Sequence, residues 1–433
     1  MQSDNKRNFI IYDSTIKNDQ NKQNESINNN MEQNMEQNIT SKQRKKFCNF
    51  NLDDEINDKN TFNIKVIGVG GAGCNIIKNI AEKHPIVKKS ASLYAFNTDK
   101  NSLKLLSTSN IENIYLLDKE NLSGYGSGGD PIIGQNAIKH DGEAIKEEIK
   151  NTDLLFIIAG MGKGTGSGGA PELAKIAKEL GILTVGIITM PSLVCEGNHV
   201  YNNACNALTK FKEYCNSITT ISNDKIINNE KGISFIHAYE KANDKIANII
   251  EEIVDIIFNP SQINIDFADL KNFFTKNKFF MMVKTIFNET NMQKTELLEQ
   301  IVKSINESHS DIDIVEAKNI IVNLKISNET ASNIIEDIRK SFISVTKSNS
   351  LSLVSGINSN DDKQLSLSAL ISGKIKTDFD SDLSFTLNNN EKQDEQKNFS
   401  NNLSEFDDNT SYSTTTNKLE KKTKDNQFDE EIE

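Results

Sequence analysis

Three stretches concentrate glycine in a way that bears on phosphate chemistry. They are Gly68-Val69-Gly70-Gly71-Ala72-Gly73-Cys74-Asn75, Gly124-Tyr125-Gly126-Ser127-Gly128-Gly129-Asp130-Pro131, and Gly160-Met161-Gly162-Lys163-Gly164-Thr165-Gly166-Ser167-Gly168-Gly169-Ala170-Pro171. A backbone without side chains comes close to a ligand, and a helix opening just beyond presents unpaired N–H groups to an anion. One such loop cradles a phosphate or diphosphate; three fit a polyphosphate wrapped by main-chain donors. The chain has no G-x-x-x-x-G-K-[ST], so this is not the common P-loop. The first loop alone is a weak signal: it could belong to a dinucleotide fold, or less readily be a bare strand-to-helix turn. A second chemical feature is the acidic segment Asn264-Ile265-Asp266-Phe267-Ala268-Asp269. Its carboxylates can orient a water molecule, or simply cap the helix that follows.

Elements must place these groups. Short apolar runs at 64–69, 154–159 and 183–188 read as buried parallel strands. Helical stretches at 75–83, 135–150, 171–180 and 200–214 alternate with them. The pattern predicts a doubly wound α/β domain with a parallel sheet, its glycine-rich junctions converging at the carboxyl ends of the strands. Residues 235–258 read as one long helix, with Ile236, Tyr239, Ile246, Ile249, Ile250, Ile253 and Ile257 at helical spacing. Beyond about residue 275, strands are expected at 316–325, 351–356 and 364–372, and a helix at 327–341 opened by Ser327 or Asn328. These form a smaller α+β domain. The expected organisation is a disordered extension over 1–60, a nucleotide domain with its long helix over 61–258, the acidic loop and second domain over 259–376, and a disordered tail over 377–433.

Composition narrows the function classes. Of 22 glycines, 18 fall between Gly68 and Gly186, which excludes a flexible linker protein or a collagen-like repeat. Hydrophobic residues make up 36% of the chain, low for a wholly globular protein. The formal net charge is −12. Residues 377–433 alone hold 15 acidic and 6 basic side chains. This balance argues against general nucleic-acid affinity. No run approaches the ~20 apolar residues of a membrane span, so no direct insertion is expected. The first residues lack the apolar core of a leader peptide. The five cysteines (Cys48, Cys74, Cys195, Cys205, Cys215) form no CxxC pair and read as reduced thiols of a cytoplasmic protein.

Taken together, these residues resemble the FtsZ family of bacterial tubulin-like cell-division GTPases. The third glycine run, around Thr165 and ending in Ala170-Pro171, resembles the tubulin signature. Ala95-Phe96-Asn97-Thr98-Asp99, Cys195-Glu196-Gly197, Ser222-Asn223-Asp224-Lys225, the 239–244 segment and the acidic 264–269 segment resemble further family blocks in the same order. The likeness covers roughly 61–376.

The resemblance implies a tubulin-like fold and binding of GTP or GDP with Mg²⁺, whose ligands stay open. It places Gly70, Gly71, Ala72, Gly73, Cys74 and Asn75, with Gly162, Gly164, Thr165 and Gly166, at the phosphates. Asn97 and Asp99 would lie near the ribose and the metal, and Glu196 on the ribose. Tyr239 would stack on guanine and Asn243 bond the base edge; Tyr239 also reads as an ordinary core aromatic. Asn264, Asp266 and Asp269 would reach the γ-phosphate of the next subunit, so that hydrolysis depends on a head-to-tail homopolymer. The implied role is ring assembly at the mid-cell division site, with division and tethering proteins recruited by the C-terminal tail. Three features depart from the family. Lys163 stands where the family has glycine, adding a phosphate contact or straining the turn if φ is positive there. Val200 replaces a nucleotide-contacting arginine. The tail ends acidic, with Phe428 and Ile432 its only apolar side chains in the last nine residues. The alternatives are a polymerising GTP-binding scaffold with weak or no hydrolysis, and a nicotinamide-dependent oxidoreductase resting on the first loop alone.

Overall fold

A computed structural model describes residues 62–376, except 110, 230–231, 260–262, 264, 288–293, 327–333, 349–351 and 360–364. The expectations for both chain ends, for Ser327 and Asn328 as helix openers, and for Asn264 lie outside the described residues.

Six parallel strands form one half of the sheet: β1 (Ile64–Val69), β2 (Ser92–Asn97), β3 (Asn113–Leu116), β4 (Leu154–Gly160), β5 (Leu183–Met190) and β6 (Ser217–Ser222). Their spatial order is β3-β2-β1-β4-β5-β6. Chain order therefore reverses between β1 and β4, which is where a doubly wound sheet opens a crevice at its carboxyl edge. The registers align that edge: Val69 pairs with Phe96 and Ala159, and Gly160 with Thr189.

The uninterrupted apolar strands follow from burial on both faces. In β4, Leu154, Phe156 and Ile158 enter one core, while Leu155, Ile157 and Ala159 enter the other. A strand wet on one face would alternate polar and apolar residues instead. Helices cover both sides. Gly70–Lys83 and Phe235–Phe258 supply the core that holds Phe156, and Pro131–His140, Gly164–Glu179 and Asn198–Tyr214 the core that holds Ile157.

Residues from 279 onward extend the same sheet with β7 (Phe279–Phe287), β8 (Ile312–Asp313), β9 (Asn319–Ile326), β10 (Ser352–Ser359) and β11 (Leu365–Ile375). The order continues β6-β7-β11-β9-β10, with β11 antiparallel to β7, β8 and β9. The helix Ile334–Thr346 runs five residues past the end expected at 341. Buried acids on the long helix tie this half down. Glu252 pairs with Lys284 at 2.5 Å and accepts from Ser368 Oγ, while Asp255 pairs with Lys325 at 2.8 Å. The lysine ends stay partly in water, so solvent screens these pairs, but without them the carboxylates would be left buried and uncompensated.

Two expectations about local structure change. The stretch 135–150 is two helices, Pro131–His140 and Gly142–Ile149, meeting at Asp141. The third glycine run is mostly helix, because Gly164–Glu179 starts seven residues before Pro171. Helix propensity disfavours glycine there, but packing overrides it. A side chain at Gly168 would strike the Pro131 carbonyl, so the glycines let two helix backbones touch.

Candidate nucleotide site

The loops after β1, β2, β4 and β5 open into one cavity of about 580 Å³ at the crevice. Gly70 enters with φ of 75°. From there the chain turns directly into the helix Gly70–Lys83, whose first turn bears no acid to compete with an anion. Gly166 faces Gly70 across the cavity floor, and a Cβ on Gly166 would collide with the Gly160 carbonyl oxygen. The second glycine loop does not follow a strand directly; a short helix, Lys119–Leu122, intervenes after β3. It reaches the cavity by pairing with the residues after β2: the Gly126 N–H donates to the Thr98 carbonyl at 3.1 Å and the Lys100 N–H to Gly124 at 3.1 Å.

A buried hydroxyl cluster braces this end. Thr165 lies 2.7 Å from the Thr98 hydroxyl and 3.1 Å from that of Ser127. One side chain from each loop is thereby locked to the others. Asn97 is buried, and its Oδ1 accepts from the Asp99 N–H at 3.3 Å. Asp99 in turn caps the helix Lys100–Lys104, accepting from Asn101 N and Ser102 Oγ at 2.8 and 2.7 Å. Those bonds, the Ser102 hydroxyl first, hold its carboxyl below the ordinary range.

The opposite end is made by the turn after β5 and the long helix. The Glu196 Oε1 accepts from Ser192 N at 3.2 Å and from Asn223 Nδ2 at 3.4 Å. Tyr239, Ala242 and Asn243 line the wall. The Tyr239 phenol has its pKa raised, by burial first and then by the Glu196 carboxylate beside it. An aromatic face and an amide on one helix, with a carboxylate opposite, suit a planar base and a sugar hydroxyl. Asp244, one residue on, receives Asn79 Nδ2 at 2.7 Å and Lys83 Nζ at 2.9 Å, which fastens this helix to the one that starts at Gly70.

Of the residues expected to touch nucleotide, Gly70, Gly71, Ala72, Asn75, Asn97, Asp99, Gly164, Thr165, Gly166, Glu196, Tyr239 and Asn243 all line this cavity. Gly73, Cys74 and Gly162 do not. Gly73 packs where a Cβ would meet the Ile158 carbonyl. The Cys74 thiol is buried 3.7 Å from the Phe96 carbonyl, and burial pushes it up to about 12, the opposite of a reactive helix-terminal thiol. Gly162 (φ 114°) packs against Val200 and lines a neighbouring cavity. Lys163 is in extended backbone at φ −100°, so the expected strain is absent; the positive φ falls on Gly162 instead. Unanticipated lining residues are Ser102, Thr189 and Pro191. The last two lie at the end of β5, a position that counting to the end of each apolar run would have found.

Asp266 and Asp269 lie apart from the cavity. They form a capping box on the helix Phe267–Lys276: Asp269 N donates to Asp266 Oδ1 at 2.8 Å, and Asp266 N to Asp269 Oδ2 at 3.2 Å. The capping expectation is therefore met by both acids, each through one carboxylate oxygen. Asp266 is exposed and Asp269 half-buried. Phe62 stacks on Phe267 at 4.7 Å, steadying the start of this helix.

The fold and cavity define a doubly wound α/β protein whose glycine-rich loops converge on one cavity, the arrangement of a nucleotide-binding class. Residues 63–231 match the model of the Tubulin/FtsZ family, GTPase domain. The cell division protein FtsZ of Buchnera aphidicola subsp. Baizongia pistaciae is 33% identical over 262 residues, covering 60% of this chain and 66% of that one. FtsZ of Coxiella burnetii is 35% identical over 263 residues, covering 60% and 65%. The chain thus aligns with just under two thirds of the length of these relatives. Among solved structures, an FtsZ dimer of M. jannaschii is 26% identical with a TM-score of 0.60, covering 75% of this chain and 92% of that one. CetZ2 from Haloferax volcanii shares the fold at 18% identity, with a TM-score of 0.63, covering 76% and 100%.

Proposed function

We propose that this chain binds GTP in the cavity, stacks head-to-tail into a filament, and hydrolyses GTP where one copy meets the next. The carrying observation is the separation of the two halves of the chemistry. Tyr239 lines the cavity, and Phe258 ends the same helix 19 residues on, ~28 Å away at 1.5 Å per residue. The helix Phe267–Lys276, capped by Asp266 and Asp269, follows that far end. No carboxylate there can orient water on the nucleotide of its own chain, but a second copy stacked along the helix axis brings it to the open phosphate end. Such a contact is heterologous, and a heterologous contact that does not close gives a filament.

The chain's own groups divide the work. Main-chain donors of the Gly70–Lys83 and Gly164–Glu179 helix starts hold the phosphates, and the Thr98–Ser127–Thr165 cluster keeps those loops in place. Glu196 and Asn243 select sugar and base. Asp266 and Asp269 of the next copy each keep one oxygen outside the capping box, free to accept the proton of an attacking water. Among the described residues no cluster of three His, Cys, Asp or Glu is placed to hold a metal. Asn97 and the ionised Asp99 are the residues that would help hold Mg²⁺, with phosphate oxygens and water supplying the remaining ligands. When bound, it neutralises charge developing on the transferred phosphoryl group.

The relatives' name, cell division protein, supports a ring at the division site as the filament's role. No described helix is long and apolar enough to cross a membrane, so tethering to a membrane falls to partner proteins. The 259–376 segment is proposed to act as a second unit that carries the acidic loop, and the last residues as the partner-recruiting tail. The test is Asp269→Asn, which keeps an acceptor for the cap. GTP affinity should stay within about twofold, while turnover falls about a hundredfold or more. Loss of GTP binding along with turnover would overturn the division of labour.

A further inference from the structure

The third glycine run leaves one position unexplained by packing. Gly164 and Gly166 cannot carry side chains, because a Cβ at Gly164 would strike Ser127 Oγ and one at Gly166 the Gly160 carbonyl. Gly162 needs its left-handed backbone. Met161 is buried in the core, and the Thr165 hydroxyl is held by Thr98 and Ser127. Only residue 163 has ordinary extended backbone and an exposed side chain, and there the chain carries a lysine.

Lys163 is the only cationic side chain lining the cavity among the described residues. It immediately precedes the first turn of Gly164–Glu179, the positive end of that helix, which carries no acid. Its ammonium makes no hydrogen bond or ion pair among the described residues. Lys100, just after β2, lies over the Tyr125 ring at 5.3 Å, and Lys210 lines only the neighbouring cavity. Lys163 also borders the neighbouring cavity of about 630 Å³, so it stands at the boundary between the two. The acids of the nucleotide cavity, Asp99 and Glu196, lie in the loops after β2 and β5, not in the loop after β4 that carries the lysine.

We propose that Lys163 is a selectivity residue for the terminal phosphate: it pairs with the γ-phosphate of a bound nucleoside triphosphate and separates triphosphate from diphosphate. The main-chain donors of the two helix starts serve phosphates generally. A mobile cation at the cavity boundary adds affinity only where a further phosphate reaches it. A charge-assisted bond of this kind is about twice as strong as a neutral one, and it is weakened by salt because the lysine is exposed. The proposal deepens the functional reading above and rests on it.

The test measures dissociation constants of the full-length chain for GTP and GDP in Mg²⁺, below any polymerisation threshold, for the wild type, Lys163→Gln and Lys163→Arg. Lys163→Gln should weaken GTP about five- to tenfold and GDP by less than about twofold, whereas Lys163→Arg should stay within about twofold of wild type for both. The GTP difference between wild type and Lys163→Gln should shrink in 0.5–1 M salt, roughly the range where screening reaches contact distance. Equal losses for GTP and GDP would overturn the proposal, because the lysine would then act on shared phosphates or on the loop itself. Unchanged GTP affinity would overturn it too. A wild-type chain that binds neither nucleotide would instead overturn the functional reading, and this inference with it.

Discussion

Thr165 shows how little freedom the phosphate end retains. Its hydroxyl is fixed by Thr98 from one loop and Ser127 from another, and both its neighbours are glycines with backbone pressed against them. Gly166→Ala is therefore expected to cost about 1–3 kcal/mol of stability and at least about tenfold in GTP affinity, since its Cβ must displace the Gly160 carbonyl. Denaturant titration beside nucleotide titration checks this, and an Ala variant with wild-type affinity would contradict the tight-cradle reading. The same crowding explains what the sequence could not convey. Alternate glycines identify a backbone that something approaches closely, but not what approaches. At Gly71 only the cavity does; Gly70 and Gly166 line the cavity and also press on neighbouring backbone; at Gly73 and Gly168 it is another stretch of backbone alone. Cys74, expected at the phosphates, misses the cavity for a related reason: the helix turns that face into the core.

The long helix Phe235–Phe258 links three parts of the protein. Its first turns line the cavity, Asp244 joins the Gly70–Lys83 helix, and Glu252 and Asp255 hold β7, β11 and β9. Midway along it, Lys245 donates to the Glu307 carbonyl beside buried His309, while Lys225 holds Asp311. Burial first, then the charges of Lys245, Lys241 and Lys225, push the His309 pKa down to about 4. The unfolded chain takes up a proton at this residue near pH 6.5 and the folded chain only near 4. Stability should therefore fall as pH drops from about 6.5 to 4, then level off in this contribution. His309→Gln should flatten that window in a plot of unfolding midpoint against pH; an unchanged acid limb would contradict the assignment. The helix itself was fully legible from its isoleucine spacing. β3 and β6 were not, because the short Asn113–Leu116 and the threonine-rich Ser217–Ser222 lack a long apolar run, and are made strands by their neighbours' ladders.

The assembled chain presents its two chemical halves at opposite ends of one helix. The binding half was legible because phosphate recognition by main chain leaves a glycine signature that depends only on local sequence. Separation of the acidic half from the cavity is a matter of helix length and topology, so the sequence named Asp266 and Asp269 and the fold shows them capping a helix away from the cavity. That separation makes a quantitative demand on the purified chain. GTP hydrolysis per molecule should be near zero at low protein concentration and rise cooperatively above a threshold, because in the proposed filament each active site is completed by a second copy. Strict proportionality between rate and protein concentration, down to the lowest concentration measured, would mean a self-contained site and would contradict the account.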